Sequence, residues 1–155
     1  MKHDFDLVAG TNEFYADTVY YDHEFEKRTA DARWYCERYL ESPGPVLELG
    51  VGTGRVALRA VRKGATVFGL DLAQSMLVHA ALRRQALPAS RRENLHLIRG
   101  DMRQFALCKT FDLISCPFNA FQHLYTLDDV NRCLARVRAH LAKDGLFIFD
   151  VLMPD

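Results

Sequence analysis

Residues 46–55, Val-Leu-Glu-Leu-Gly-Val-Gly-Thr-Gly-Arg, constrain the chain more than any other stretch, because a short apolar run turns through three glycines towards a helix. Val46, Leu47 and Leu49 suit a compact buried strand, in which the carboxylate of Glu48 is too costly to bury without a hydrogen-bond donor. Gly50, Gly52 and Gly54 free the backbone for positive φ and remove the Cβ atoms that would keep a ligand from the turn. The helix opening near Arg55 presents unpaired N–H groups at the same point. The spacing is Gly-x-Gly-x-Gly. A dinucleotide fingerprint needs Gly-x-Gly-x-x-Gly, whose third glycine permits close helix packing behind a pyrophosphate.

The rest of the chain alternates strand and helix around this turn. Residues 22–40 read as a long helix, with Phe25, Thr29, Ala32, Tyr35 and Tyr39 near helical spacing, and Ser42-Pro43-Gly44-Pro45 stops it. A helix over 56–63 closes at Gly64, and a strand over 66–70 ends in Asp71. In open α/β sheets ligands lie outside the carboxyl ends of the strands, and an acid about twenty residues past the glycine turn can bind a ribose diol. Asp71 occupies that place. Leu72 and Met76, with Leu77, open the next helix and either flank an adenine face or belong to the core. The third strand, 94–99, ends in Gly100-Asp101-Met102. There Asp101 can accept from an exocyclic amine of adenine while the next backbone N–H, that of Met102, donates to the ring. A fourth strand covers 111–116. Thr126 and Asp129 form a capping box for a helix with the stripe Leu127, Val130, Leu134, Val137 and Leu141, ended by Gly145 before a fifth strand over 146–151. Five such alternations predict a parallel sheet with right-handed crossovers.

At 155 residues and nearly half apolar, the chain holds one domain with a proper core: a helical flap over 1–45 and an α/β core over 46–155. Twenty basic and twenty acidic residues leave no electrostatic footprint for a nucleic acid. Arg83, Arg84, Arg91 and Arg92 read as a solvated helix end. Cys36, Cys108, Cys116 and Cys133 show no metal spacing and read as reduced thiols, so no metal is expected. No run approaches a membrane span and the N-terminus lacks an apolar signal core, which makes a soluble, cytoplasmic protein the expectation.

The series Glu48-Leu49-Gly50-Val51-Gly52-Thr53-Gly54, Gly69-Leu70-Asp71 with Ser75-Met76-Leu77, Gly100-Asp101-Met102, Phe111-Asp112-Leu113-Ile114 and Leu141-Ala142-Lys143-Asp144-Gly145-Leu146 resembles the class I, Rossmann-like S-adenosylmethionine-dependent methyltransferases. The resemblance covers nearly the whole chain. It implies a three-layer α/β sandwich with a mainly parallel sheet in the order 3-2-1-4-5 and an N-terminal helix packed on it. It also implies S-adenosylmethionine as cofactor, S-adenosylhomocysteine as product, and cofactor contacts from Glu48, Gly50, Gly52, Gly54, Asp71, Leu72, Met76, Asp101, Met102 and Pro117. Arg28-Thr29-Ala30 and residues 119–124 are similar to the small-molecule N-methyltransferases, including glycine and amino-sugar enzymes. That likeness implies Arg28 on the cofactor carboxylate, Tyr21 over its methionyl arm, and a small-molecule acceptor, an amine being favoured.

His123 follows the fourth strand, on the side where the acceptor of such sites lies, and is the candidate acid–base residue. The other histidines have no companion spacing. The family's final antiparallel hairpin is missing from the sequence, which leaves the fifth strand as an edge open to another chain, including a second copy. The alternative to an active enzyme is a cofactor-binding fragment that needs a partner or further chain for turnover.

Overall fold

The computed structural model describes residues 29–154. Strands β1 (Val46–Leu49), β2 (Val67–Asp71), β3 (Leu95–Arg99), β4 (Phe111–Cys116) and β5 (Leu141–Phe149) form one sheet in the order β3-β2-β1-β4-β5, with every neighbouring pair parallel. The helices are α1 (Thr29–Glu41), α2 (Arg55–Arg62), α3 (Gln74–Arg84), the single turn α4 (Ala89–Arg92) and α5 (Leu127–His140), with a 3₁₀ turn, Ala120–His123, between β4 and α5.

Alternate residues of β1 feed two cores, one on each face of the sheet. Val46 packs with Ala32, Tyr35, Tyr39, Val56 and Val61 of α1 and α2, whereas Leu47 and Leu49 share a cluster with Ile114, Cys133 and Val137. The result is the expected three-layer sandwich. Because β1 lies between β2 and β4, its carboxyl end is the point where strand order reverses, and the crevice there is where an open α/β sheet takes its ligand. Near that end Tyr39 on α1 bonds Glu48 of β1 and Ser115 of β4.

Three local expectations change. The helix α5 buries Asp129, Cys133, Val137 and His140, while Leu127 and Leu134 of the expected stripe stay exposed. Its inner face is set by polar ties to the loop after β3: Arg136 Nε donates to Phe105 O at 2.8 Å and Leu107 N donates to His140 Nε2 at 2.9 Å. With His140 Nδ1 also 2.7 Å from Arg136 O, the helix stops at His140 rather than at Gly145. The strand β5 then starts at Leu141, pairs it with Phe111, and pairs Leu146 with Leu113, so residues 142–145 bulge from the register. Gly145 serves that bulge and not a helix cap. Finally, the arginine cluster is no solvated end: Arg83 donates to Thr53 O and Oγ1, Arg84 to Leu95 O, and Arg92 to Leu87 O.

Strand β5 is an edge of the sheet, and Leu146, Phe149, Val151, Leu152 and Met153 are exposed along and beyond it. No helix among the described residues is long and apolar enough to cross a membrane.

A Cβ on Gly145 would lie 3.0 Å from Phe111 O and 3.1 Å from Ala142 O, both backbone atoms with little room to give. Gly145→Ala should therefore lower stability by about 1–3 kcal/mol, read as a lower urea midpoint at unchanged slope.

Candidate functional site

The glycine turn takes the left-handed backbone that its composition permits, with φ of +73° at Gly50, +56° at Gly52 and +85° at Gly54. The three glycines use their missing Cβ differently. A Cβ on Gly50 would sit 2.8 Å from the Cβ of Ala120, which seats the segment after β4 directly on the turn. One on Gly54 would press on Leu58 at 3.0 Å and reach Ala80 at 3.7 Å, so this glycine lets α2 and α3 approach. One on Gly52 would meet no described atom within 4 Å. Gly52 itself is buried, so its backbone N–H, not an open space beside it, is what the turn presents to Asp71.

Asp71 ends β2 facing this turn. Its Oδ2 accepts from Gly52 N at 2.7 Å and its Oδ1 from Ala73 N at 2.9 Å, joining the turn to the start of α3. Burial raises its pKa, opposed by the N–H groups of Ala73, Gly52 and Leu72. These are the donors a phosphate would otherwise take at a glycine turn and helix start. A carboxylate already holds them. Each of its oxygens still has a second lone pair, so the group suits a ligand with hydroxyls and positive charge rather than phosphate.

Glu48, wholly inside β1, has the donor its burial requires. Tyr39 Oη donates to Glu48 Oε2 at 3.0 Å and also bonds Ser115 Oγ, so one phenol ties α1 to β1 and β4. Burial raises the Glu48 pKa to about 8, against the hydrogen bond from Tyr39, with the charge of Asp71 raising it further and that of Arg55 lowering it.

Asp101 lies just past β3 in a buried ion network. Arg103 donates from its backbone N and Nε to Oδ1 at 2.9 and 3.0 Å, and from Nε and Nη2 to Oδ2 at 3.1 and 2.7 Å. Its Nη1 reaches Asp129 Oδ1 on α5 at 2.8 Å. Burial raises the Asp129 pKa, but the hydrogen bonds from Arg103 and Thr126 outweigh it and hold the group below the ordinary carboxylate value. The expected cap is present, Asp129 N donating to Thr126 Oγ1 at 3.1 Å.

Of the remaining candidates, Leu72 and Met102 are half-buried and Pro117 is buried at the end of β4. Met76 is fully buried in α3 and joins the core. His123 ends the 3₁₀ turn, half-buried, with Nδ1 3.4 Å from Tyr125 Oη; burial lowers its pKa, which keeps the ring neutral near pH 7. Tyr21 and Arg28 lie outside the described residues. Among the described residues, no group of three or more His, Cys, Asp or Glu side chains can hold a metal ion.

Two groups escaped the sequence reading. Arg103 could not be paired with Asp129 from sequence, since the two are brought together only by packing of α5. Asp150 was legible: it stands at the carboxyl end of β5, as Asp71 and Asp101 stand at the ends of β2 and β3. Its carboxylate accepts from Phe118 N at 2.8 Å, Asn119 N at 2.9 Å and Tyr35 Oη at 2.6 Å. Phe118 and Asn119 both have φ of +59°, and the Arg55 guanidinium lies 3.7 Å above the Phe118 ring. Left-handed backbone is unfavourable for phenylalanine by about 1–2 kcal/mol, which such bonds offset.

Residues 46–145, from β1 into β5, match the family model described as methyltransferase domain. The chain belongs to that family. This methyltransferase domain is 27% identical over 127 residues to a dTDP-3-amino-3,6-dideoxy-alpha-D-glucopyranose N,N-dimethyltransferase of Streptomyces fradiae, covering 82% of this chain and 47% of the relative. The solved complex of the glycopeptide N-methyltransferase MtfA with S-adenosyl-L-methionine superposes with a TM-score of 0.71 at 34% identity, over 78% of this chain and 53% of that one. S-adenosylmethionine-bound CalS10, an amino pentose methyltransferase from Micromonospora echinaspora, gives 0.69 at 30% identity, over 86% and 56%. The chain thus spans about half the length of these relatives.

In this methyltransferase domain two buried ionic groups make opposite demands on pH. Glu48 ionises near 4.5 when unfolded and near 8 when folded, so its contribution is full below about 4.5 and is lost as pH rises to about 8. Glu48→Gln should flatten the stability profile across that window, as read by urea midpoints at successive pH values. Asp129, held low, contributes above the ordinary carboxylate pKa and loses that contribution as pH falls through its lower folded value. Removing its cation while leaving both carboxylates buried should be severe: Arg103→Leu is expected to cost about 3–5 kcal/mol in the same measurement.

Proposed function

We propose that these residues bind S-adenosylmethionine and form the cofactor-binding part of an enzyme that methylates the nitrogen of a small-molecule amine. The observation that carries the reading is that the chain's own Asp71 carboxylate holds one N–H of the glycine turn, that of Gly52, and one at the start of the next helix, that of Ala73, while a Cβ on Gly52 would meet no described atom within 4 Å. That chemistry rejects a pyrophosphate and favours a nucleoside bearing cationic groups. The amine acceptor is supported by the amino-sugar and glycopeptide N-methyltransferases among the similar proteins.

In this reading Asp71 takes the ribose hydroxyls, Leu72 backed by Met76 lies against the adenine, and Met102 N donates to the ring. Asp101 receives the adenine amine by sharing an oxygen with Arg103. Glu48, the backbone of Gly50, Gly52 and Gly54, and Pro117 surround the methionyl part, with Tyr21 and Arg28 assigned to its arm and carboxylate. Bound there, the cofactor supplies a methyl group on a positively charged sulfur that is already a good leaving group. The protein's task is therefore mainly to hold the acceptor in line at roughly 3–3.5 Å. His123, neutral near pH 7, takes the proton that the attacking amine must lose.

Four free cysteines, three of them buried, support a cytoplasmic setting. The outer edge of β5 is the surface on which a second copy would pair, and sedimentation equilibrium reads that directly.

Calorimetric titration of the 155-residue chain with S-adenosylmethionine and S-adenosylhomocysteine tests the reading. Saturable one-to-one binding of both is expected, weakened about tenfold or more by Asp71→Ala in protein whose circular dichroism is unchanged. A folded chain that binds neither would refute it. Binding without transfer to any amine would favour a cofactor-binding part whose acceptor side is supplied elsewhere.

A further inference from the structure

The segment between β4 and α5 carries the acceptor-side histidine, yet its first two residues past Pro117 adopt a backbone that ordinary residues avoid. Phe118 and Asn119 are consecutive left-handed residues, and neither is glycine. Such a conformation persists only where its surroundings over-determine it. Here the constraint comes from the far end of β5. Asp150 receives one loop N–H on each carboxylate oxygen, 2.8 Å from Phe118 N and 2.9 Å from Asn119 N. Its Oδ1 also takes the hydroxyl of Tyr35 from α1 at 2.6 Å. Two residues further on, the Gln122 side-chain amide bonds both backbone groups of Leu152, Nε2 to Leu152 O at 3.1 Å and Leu152 N to Oε1 at 2.9 Å. The segment is thereby fastened to the chain just past β5, 30 to 32 residues further on.

The same segment rests on the glycine turn. Ala120 occupies the position that a Cβ on Gly50 would need, and Arg55, first residue of the helix after the turn, stacks on Phe118. A loop that lost its left-handed pair would move both contacts together. We propose that Asp150 is a positioning residue: its carboxylate sets the backbone of Phe118 and Asn119, and through Ala120 and Phe118 holds the acceptor-side segment in one register against the cofactor turn. This assignment rests on reading the glycine turn as the S-adenosylmethionine site. Tyr35 serves the carboxylate and Gln122 fastens the loop's other end, so α1, the loop and the end of β5 shift as a unit. Burial and the neighbouring Asp150 carboxylate hold the Tyr35 phenol well above its ordinary pKa, so it remains a donor throughout the physiological range.

The test uses the 155-residue chain with S-adenosylhomocysteine as probe. Asp150→Asn keeps the side chain's shape, but its amide nitrogen cannot accept, so one of the two loop N–H groups loses its partner. Its affinity for S-adenosylhomocysteine should fall about tenfold. Amide hydrogen exchange should accelerate at Phe118 and Asn119 and stay slow at Leu47 and Ile114 in the sheet. Tyr35→Phe removes one donor without touching the loop amides and should give a smaller loss of affinity with the same pattern of exchange. Equal affinity in wild type and Asp150→Asn would overturn the proposal, as would faster exchange spread through the sheet. Failure of the wild-type chain to bind the probe would overturn the cofactor reading instead, and the exchange pattern alone would then decide whether Asp150 sets the loop.

Discussion

The seating of the Asp71 carboxylate on Gly52 N and Ala73 N is the interaction on which the rest of the site depends. It takes two orphan donors, one from a glycine turn and one from a helix start, that would otherwise attract an anion. By doing so it joins the ends of β1 and β2 at the point where strand order reverses. In the proposed reading, a carboxylate seated this way favours a polyhydroxylated or cationic ligand over a phosphate.

Around that seat the protein buries charge twice more, and each time meets the desolvation cost in a different way. Among the described residues no cation is bonded to Glu48; Tyr39 supplies a hydroxyl, and the carboxyl answers by holding its proton to about pH 8. Asp101 and Asp129 both face the Arg103 guanidinium. Buried ion pairs are weak sources of stability but sensitive to the loss of one partner. Both arrangements therefore make geometry strict. Tyr39 ties α1, β1 and β4 together, and Arg103 ties the loop after β3 to α5, so each corner of the crevice is held by a group from a distant part of the chain.

The helix α5 shows why part of this was not legible. Its apolar repeat pointed to Leu127, Val130, Leu134, Val137 and Leu141, yet the buried face carries Asp129 and His140 beside Cys133 and Val137. Periodicity ranks side chains by hydrophobicity and gives no credit to a polar group that will find a partner. Asp129 found Arg103, and His140 found the backbone of Leu107. The boundary of β5 failed for a related reason: Gly145 reads as a helix stop, but the helix already ends at His140, whose ring bonds Arg136 O and Leu107 N, and Leu141 pairs with Phe111 in the sheet. Fold class and the positions of Asp71 and Asp101 at strand ends were legible because hydrophobic alternation and glycine spacing are local properties, whereas the strand order came only from the resemblance to a known family.

What the sequence determined by itself was the alternation of five strands with helices, the left-handed glycine turn, and the placing of acids at the carboxyl ends of strands. Each follows from the conformational limits of single residues and from the period of apolar burial. What only the tertiary structure decided was which distant partner each carboxyl received: Tyr39 for Glu48, Arg103 for Asp129, and the loop amides of Phe118 and Asn119 for Asp150. The physical reason is separation along the chain. Hydrogen bonds between groups 9 to 32 residues apart exist only after the sheet has set its order, and no local pattern records them beforehand.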